Sequence, residues 1–399
     1  MSTSPSNELK QQWRTPTDIL SVLLLIGGNI VQMALAQLSG SHIVPVAFSF
    51  GWAAYSFTAL MSVIGDRKLM PPTDCPSIVI ETTNGFVRSN NSWILGRLLR
   101  DLEVKHVVER RGAPLWVRVY GACDPNTPRA RGGLLRSLIR DWVWTMGIIT
   151  VTLQFGIAAI PWVLHGNWAV LVVTAAGTTM AFVCGALPQW RREKWACRRN
   201  WKGTAALTRG NGSRLVVVIY GNGVGLNLSD LASGRVILAW GTREVIAVLA
   251  LLWLALLVTV SGLRKDTWYF MGIGLLGMMQ NVTAAGASRS PEDFGMPIQF
   301  YEEFSSPKVM KTLQSTEIRY PGVGAALLPV FFPGVLRKDE HIWWSAMKDK
   351  SREEESDQKG LSTAVDGETD RVDAGQMIEG VTNEERAEGV TNEETKKNA

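Results

Sequence analysis

Three carboxylates, Asp66, Asp141 and Glu244, stand at the ends of long uncharged apolar runs. An acid at such an edge can meet a substrate dissolved in a membrane. There it can protonate an olefin or an epoxide, a general acid step of the kind that contributes about 10²–10⁴-fold. The same placement suits a structural role, in which each acid neutralises a neighbouring Arg or Lys. No other residues complete a catalytic set. His42, His106, His165 and His341 are scattered, without Ser/His/Asp, Cys/His or HxxxH spacing. Cysteines 75, 123, 184 and 197 show neither CxxC pairing nor metal-ligand spacing and read as free thiols. No metal or cofactor is expected. Residues 221–225, Gly-Asn-Gly-Val-Gly, follow a β-branched run, as a nucleotide loop would. Leu226 takes the place of the last glycine of GxGxxG, and no acid ends a strand about 20 residues on. The run reads as a tight turn.

The elements that must position these groups are dominated by six apolar runs without charge, over residues 19–38, 43–64, 142–164, 168–187, 245–263 and 268–287. About 20 such residues in a helix cross the ~30 Å hydrocarbon core of a bilayer. Six runs predict an all-α polytopic membrane protein of three transmembrane hairpins (18–65, 142–187 and 245–287). The first run is too long for a signal-peptide core and is kept as a span. The turns at 39–42 and 165–167 carry no Lys or Arg, whereas residues 66–141 carry thirteen and residues 188–244 ten. The positive-inside rule puts the two long loops and both termini, including segment 1–17, in the cytosol. Arg264 and Lys265 in the third turn dissent mildly.

Both long loops contain a β-branched run, an Asn-Gly turn and a short helical pattern, around 77–102 and 214–231. Residues 114–120 alternate as a further strand. A small α/β cytosolic part formed by the two loops is expected. Residues 190–202 (WRREKWACRRNWK) place Arg191, Arg192, Lys194, Arg198 and Arg199 among Trp190, Trp195 and Trp201, directly after the fourth run. Beside a span, this pattern suits anionic headgroups at the cytosolic face rather than nucleic acid. Residues 288–348 are read as a cytosolic, membrane-docked segment, because the apolar stretch 322–336 is too short to span. From 349 to 399 the chain holds fifteen acids against seven bases and repeats EGVTNEE, the mark of a disordered tail.

Within the runs, Asn29, Gln32, Gln154, Gln280 and Asn281 need hydrogen-bond partners. They suit interhelical bonds or, alternatively, a polar pocket for a lipophilic ligand. Gly177, Ala181 and Gly185 recur every four residues, which lets another helix approach closely. No acid, Lys or Arg lies mid-run, whereas proton-coupled transporters usually carry such groups.

Residues 187–231, 267–291 (TWYFMGIGLLGMMQNVTAAGASRSP) and 320–333 (YPGVGAALLPVFFP) resemble a family of uncharacterised fungal integral-membrane proteins. The similarity covers most of residues 15–345 and excludes the acidic tail. Members are sometimes associated with secondary-metabolite biosynthesis, so the resemblance implies a membrane role in or beside that chemistry. It carries over no active-site residue. Fungal membrane terpene cyclases are shorter and use embedded acids, and this chain departs from them on both counts. The leading expectation is a supporting role, in which the protein anchors cytosolic biosynthetic enzymes or handles a lipophilic intermediate. A terpene-cyclase-like enzyme and a transporter or channel are the alternatives.

Overall fold

The computed structural model describes residues 27–40, 43–65, 68–109, 112–124, 141–235, 238–263, 265–293 and 295–350. Residues 1–17, the first half of the first apolar run, Asp66 and the tail beyond 350 lie outside them. The chain divides into two compact units, Met1–Phe331 and Phe332–Ala399. In the second, residues 338–350 form a helix in which the Trp343 and Trp344 rings meet edge to face, 4.8 Å apart.

The first unit has a helical layer and a sheet. The helices of the layer are α1 (Gly28–Leu38), α2 (Trp52–Ile64), α4 (Trp142–His165), α5 (Ala169–Gly185), α6 (Pro188–Lys194), α8 (Thr242–Ser261) and α9 (Thr267–Gly286). Helices α3 (Trp93–Glu109), α7 (Leu228–Ser233), α10 (Val309–Arg319) and α11 (Val323–Phe331) accompany the sheet. Its strands are β1 (Ile78–Glu81), β2 (Val87–Ser89), β3 (Trp116–Ala122), β4 (Thr204–Thr208), β5 (Leu215–Tyr220) and β6 (Ile298–Ser305), in the order β2-β1-β4-β5-β3-β6. All pairings are antiparallel except β3 with β5. Three separate stretches of sequence therefore build one sheet. The two long loops supply β1–β3 and β4–β5, and the segment after the sixth run supplies the edge strand β6.

This architecture corrects the all-α, six-span expectation. Among the described residues only α4 and α8 are single helices long and apolar enough to cross a membrane. A third crossing exists only if α5 and α6, bent by 41°, count as one broken span. Helix α9 has the length, but Gln280, Asn281 and its glycines dilute its apolar character. The described part of the first run is the 11-residue α1. In the second run, residues 43–50 form neither helix nor strand and only Trp52–Ile64 is helical.

The second run enters the helical layer and comes back. Near the sheet, Trp144 at the start of α4 donates to the Ile43 carbonyl (3.0 Å). Deeper, Gln154 of α4 donates to the Phe48 carbonyl (2.6 Å) and to Ile273 (2.9 Å). Gln280 accepts from the Ala47 N–H (3.1 Å) and donates to the Pro45 carbonyl (3.3 Å), while Asn281 donates to Ser49 Oγ (2.7 Å). The chain then returns through α2 to Leu69, whose N–H donates to Glu193 (2.8 Å) and whose carbonyl accepts from Gln32 (2.8 Å). Backbone outside helices and sheets leaves most of its polar groups unpaired, so in an apolar layer it survives only where side chains satisfy it. Gln154 and Gln280 do this by bonding backbone, and Asn281 bonds the Ser49 hydroxyl.

Glycines make the room. A Cβ at Gly177 would stand 2.6 Å from the Phe48 ring, and one at Gly185 3.0 Å from Val44. At Gly147 and Gly277 it would overlap the carbonyl oxygens of Pro45 and Phe48. In the small-residue stripe, Gly177 and Gly185 thus face the segment 43–50, and a Cβ on Gly185 would also meet Leu35 of α1 at 3.5 Å. At the deep end Trp253 stacks between Phe48 and Trp52, with ring centroids 5.9 and 5.6 Å away.

Cations fasten the sheet side to the helices. A helix C-terminus leaves carbonyls unpaired and carries partial negative charge. At the end of α9, buried Arg97 of α3 donates to the carbonyls of Ala285 (2.9 Å) and Ala287 (2.5 Å). At the end of α1, buried Lys194 donates to Ala36 (3.1 Å), Gln37 (3.3 Å) and Ser39 (2.6 Å), and Arg289 donates to Gln37 (2.6 Å).

Candidate functional site

The parallel pair decides where a site can form. In open α/β sheets, ligands bind beyond the carboxyl ends of parallel strands, where the chain leaves the sheet and opens a crevice. Such a crevice of about 660 Å³ lies beyond the ends of β3 and β5. Ala122, Cys123 and Asp124 enter it from β3, and Val224, Gly225 and Leu226 from the turn after β5. The volume lies within the usual 300–1,000 Å³ range for small-molecule sites.

The turn after β5 is the Gly-Asn-Gly-Val-Gly run. Asn222 and Gly223 have φ of 50° and 75°. Gly225 N–H donates back to the Gly221 carbonyl (2.7 Å), and a Cβ on Gly225 would lie 2.7 Å from Gly221 Cα. Asn227 then caps α7 by accepting from the Asp230 N–H (3.0 Å). The glycines fold the chain tightly enough to leave the crevice open, which agrees with a turn rather than a dinucleotide loop.

Opposite the turn stand groups from the helical layer. Asp141, at the N-terminus of α4, accepts from the Trp144 N–H (3.3 Å) and is ion-paired to Arg289. Trp144, Trp195, Leu38 and Met296 form apolar wall, and Arg191 and Arg199 stand at the rim. Both arginines are exposed, with no ion-pair partner among the described residues. The crevice therefore combines apolar sides, a partly buried ion pair at its edge, three further acids (Asp124, Glu292 and Asp293) and two exposed arginines without an ion-pair partner among the described residues. Because Asp141 precedes α4, it opens at the very end of a helix able to cross a membrane.

The structure distributes the sequence candidates unevenly. Of the three edge acids, only Asp141 lines the crevice. Glu244 is exposed in the first turn of α8, and Asp66 lies outside the described residues. The basic segment is a seven-residue helix followed by a turn. Arg191, Arg192, Arg198 and Arg199 are exposed, but Lys194 and Trp190 face inward. Trp190 donates its indole N–H to Cys184 (3.1 Å). Trp195 and Trp201 are half-buried, and Arg198 is paired with Asp230 at 2.6 Å. No group of three or more His, Cys, Asp or Glu able to hold a metal occurs among the described residues. Sequence reasoning missed Arg289, Cys123 and the parallel pairing of β3 with β5. The turn glycines, Asp141, Arg191, Trp195 and Arg199 had been singled out, but nothing in their spacing brought them together.

No family model, curated protein or solved structure matches the chain.

Proposed function

We propose that this protein is membrane-embedded and holds an amphiphilic small molecule, acidic at one end, in the crevice beyond β3 and β5. The observation that carries the reading is the pairing of apolar walls with Arg191 and Arg199 at the end of a membrane-length helix. A ligand lying in the lipid at that depth needs only to turn its polar end toward the sheet. Membrane residence is supported by α4 and α8, whose outer faces expose Ile149, Leu153, Val248, Leu251 and Val258. The Lys/Arg-rich segments that build the sheet favour a cytosolic sheet, with both termini on that side. The fungal resemblance makes the occupant a lipophilic intermediate of natural-product biosynthesis, handled beside cytosolic enzymes of the same route.

The test uses the purified chain in neutral-lipid nanodiscs, with oleate as acidic probe and oleyl alcohol as its uncharged control. Maleimide labelling of Cys123 reports occupancy. Burial pushes the Cys197 thiol up to about 11, so it labels slowly and lies outside the crevice. Oleate should protect Cys123, and oleyl alcohol should protect it less. The double variant R191Q/R199Q should weaken oleate about tenfold, the equivalent of roughly 1.4 kcal/mol. Equal protection by both probes, or an unchanged oleate affinity in the variant, would remove the proposal.

One observation favours a second reading, a membrane enzyme: Asp141 lines the crevice. Asp141→Asn, returned to a deletion strain, should then abolish one product at unchanged membrane abundance. On the binding reading, product formation persists.

A further inference from the structure

A second depression, of about 410 Å³, shares no residue with the crevice. It lies between β2, the segment after α6, and α7. Arg88 comes from β2, Arg198 from the segment and Arg235 from the chain just beyond α7. One acid, Asp230, sits among them. Arg198 grips it through Nε (2.6 Å) and Nη2 (3.1 Å), which holds the Asp230 carboxyl below the usual carboxylate range. That pair is electrically closed. Arg88 and Arg235 are left with two positive charges and no ion-pair partner among the described residues.

Two donors here lack acceptors. Ser229 is more than nine-tenths buried, lines the depression and has no hydrogen-bond partner for its Oγ. Arg88 Nε is likewise buried without one, while the guanidinium lies 5.2 Å from the Phe86 ring centroid. Native proteins leave few buried polar atoms unsatisfied, and such atoms ask for an explanation. A single anion placed between β2 and α7 would satisfy both donors and meet both free charges.

We propose that this depression binds a phosphomonoester. Ser229 Oγ and Arg88 Nε donate to phosphoryl oxygens, Arg235 supplies the second positive charge, and the spare N–H groups of Arg198 add donors. A phosphomonoester brings about −1.5 to −2 at neutral pH and three acceptor oxygens, which matches two uncompensated guanidiniums and two orphan donors. A carboxylate, with one charge and two oxygens, leaves part of the set unmet. The phosphoryl group could come from a soluble metabolite or from a lipid headgroup, and the chemistry at the site is the same.

Calorimetric titration of the full chain in neutral detergent separates these sources. Phenyl phosphate is the soluble probe, dioctanoyl phosphatidic acid the lipid probe, and benzoate and dioctanoyl phosphatidylcholine their controls. Phenyl phosphate should bind more tightly than benzoate. R88Q/R235Q should weaken it by about tenfold or more, since charge-assisted hydrogen bonds are the strong ones. Ser229→Ala removes a hydroxyl that has no partner in the fold. It should leave the thermal midpoint unchanged or higher, yet still weaken phenyl phosphate about threefold to tenfold. Similar affinities for phenyl phosphate and phosphatidic acid mean that the site reads the phosphoryl group alone. Phosphatidic acid binding that is much tighter, and still sensitive to both variants, assigns the site to a lipid headgroup. Phosphate probes no better than their controls, or affinities indifferent to both variants, would overturn the proposal.

Discussion

Gly277→Ala should leave little folded protein, while Gly272→Ala on the same helix should be neutral or slightly stabilising. A Cβ at Gly277 would overlap the Phe48 carbonyl oxygen and lie 2.7 Å from Gln154 Nε2. Neither neighbour can step aside. The carbonyl belongs to the buried segment 43–50, and the amide is its hydrogen-bond donor. Overpacking a well-filled interior typically costs about 1–3 kcal/mol, and a backbone obstacle puts this site at or above the top of that range. Gly272 meets nothing within 4 Å, so there Ala gains about 0.5–1 kcal/mol of helix propensity. Monodisperse yield and thermal midpoint in detergent measure both. Two variants of equal stability would mean that residues 43–50 are not threaded against α9.

Arg97→Leu ranks second in expected effect. Arg97 is buried between Asp74 (3.3 Å) and Asp101 (3.4 Å) while it holds two carbonyls at the end of α9. Burial lowers the Arg97 pKa and raises that of Asp101, and the attraction between them opposes both shifts. Among the described residues, removing the cation leaves the buried Asp101 carboxylate to Arg100 alone (3.2 Å) and takes two donors from a helix end that keeps only Arg100 and Gln37, and breaking such a buried pair costs about 3–5 kcal/mol. The double variant R97L/D101N should lose less than R97L, because the stranded charge is gone. Denaturant unfolding in micelles reads the difference. An R97L loss below about 1 kcal/mol would show that the sheet is not fastened here.

The parts of this fold that were legible are those whose period is local. The β-branched runs at 78–81 and 215–220 and the alternation at 116–120 became β1, β5 and β3. The need of Gln154, Gln280 and Asn281 for partners was visible, but not that the partner would be backbone. Residues 43–50 misled because a largely buried, irregular segment that is apolar throughout reads like a helix. Pro45, with Val44 and Val46 beside it, was the available clue. The crevice was not legible, because it depends on which strands are neighbours. β3 and β5 are separated in sequence by α4, α5 and β4, and no spacing rule foretells that they lie parallel. Arg289 follows an apolar run and looks like any flanking cation. Its pairing with Asp141 exists only once α9 and α4 stand side by side.

The sheet's register also has a consequence for biogenesis. Ile78 of β1 pairs with Thr208 of β4, and Trp116 of β3 pairs with Ser305 of β6. A ribosome delivers β3 long before either of its neighbours, and the helices α4 and α5 emerge in the interval. Until then both edges of β3 are open, the condition under which strands recruit the wrong partner. Pairings this distant also form slowly. Closure of the sheet therefore waits on the helices, and a misplaced α4–α5 pair leaves β3 without β5. The finished sheet works as an assembly checkpoint: its crevice exists only in chains whose apolar helices have already found their places.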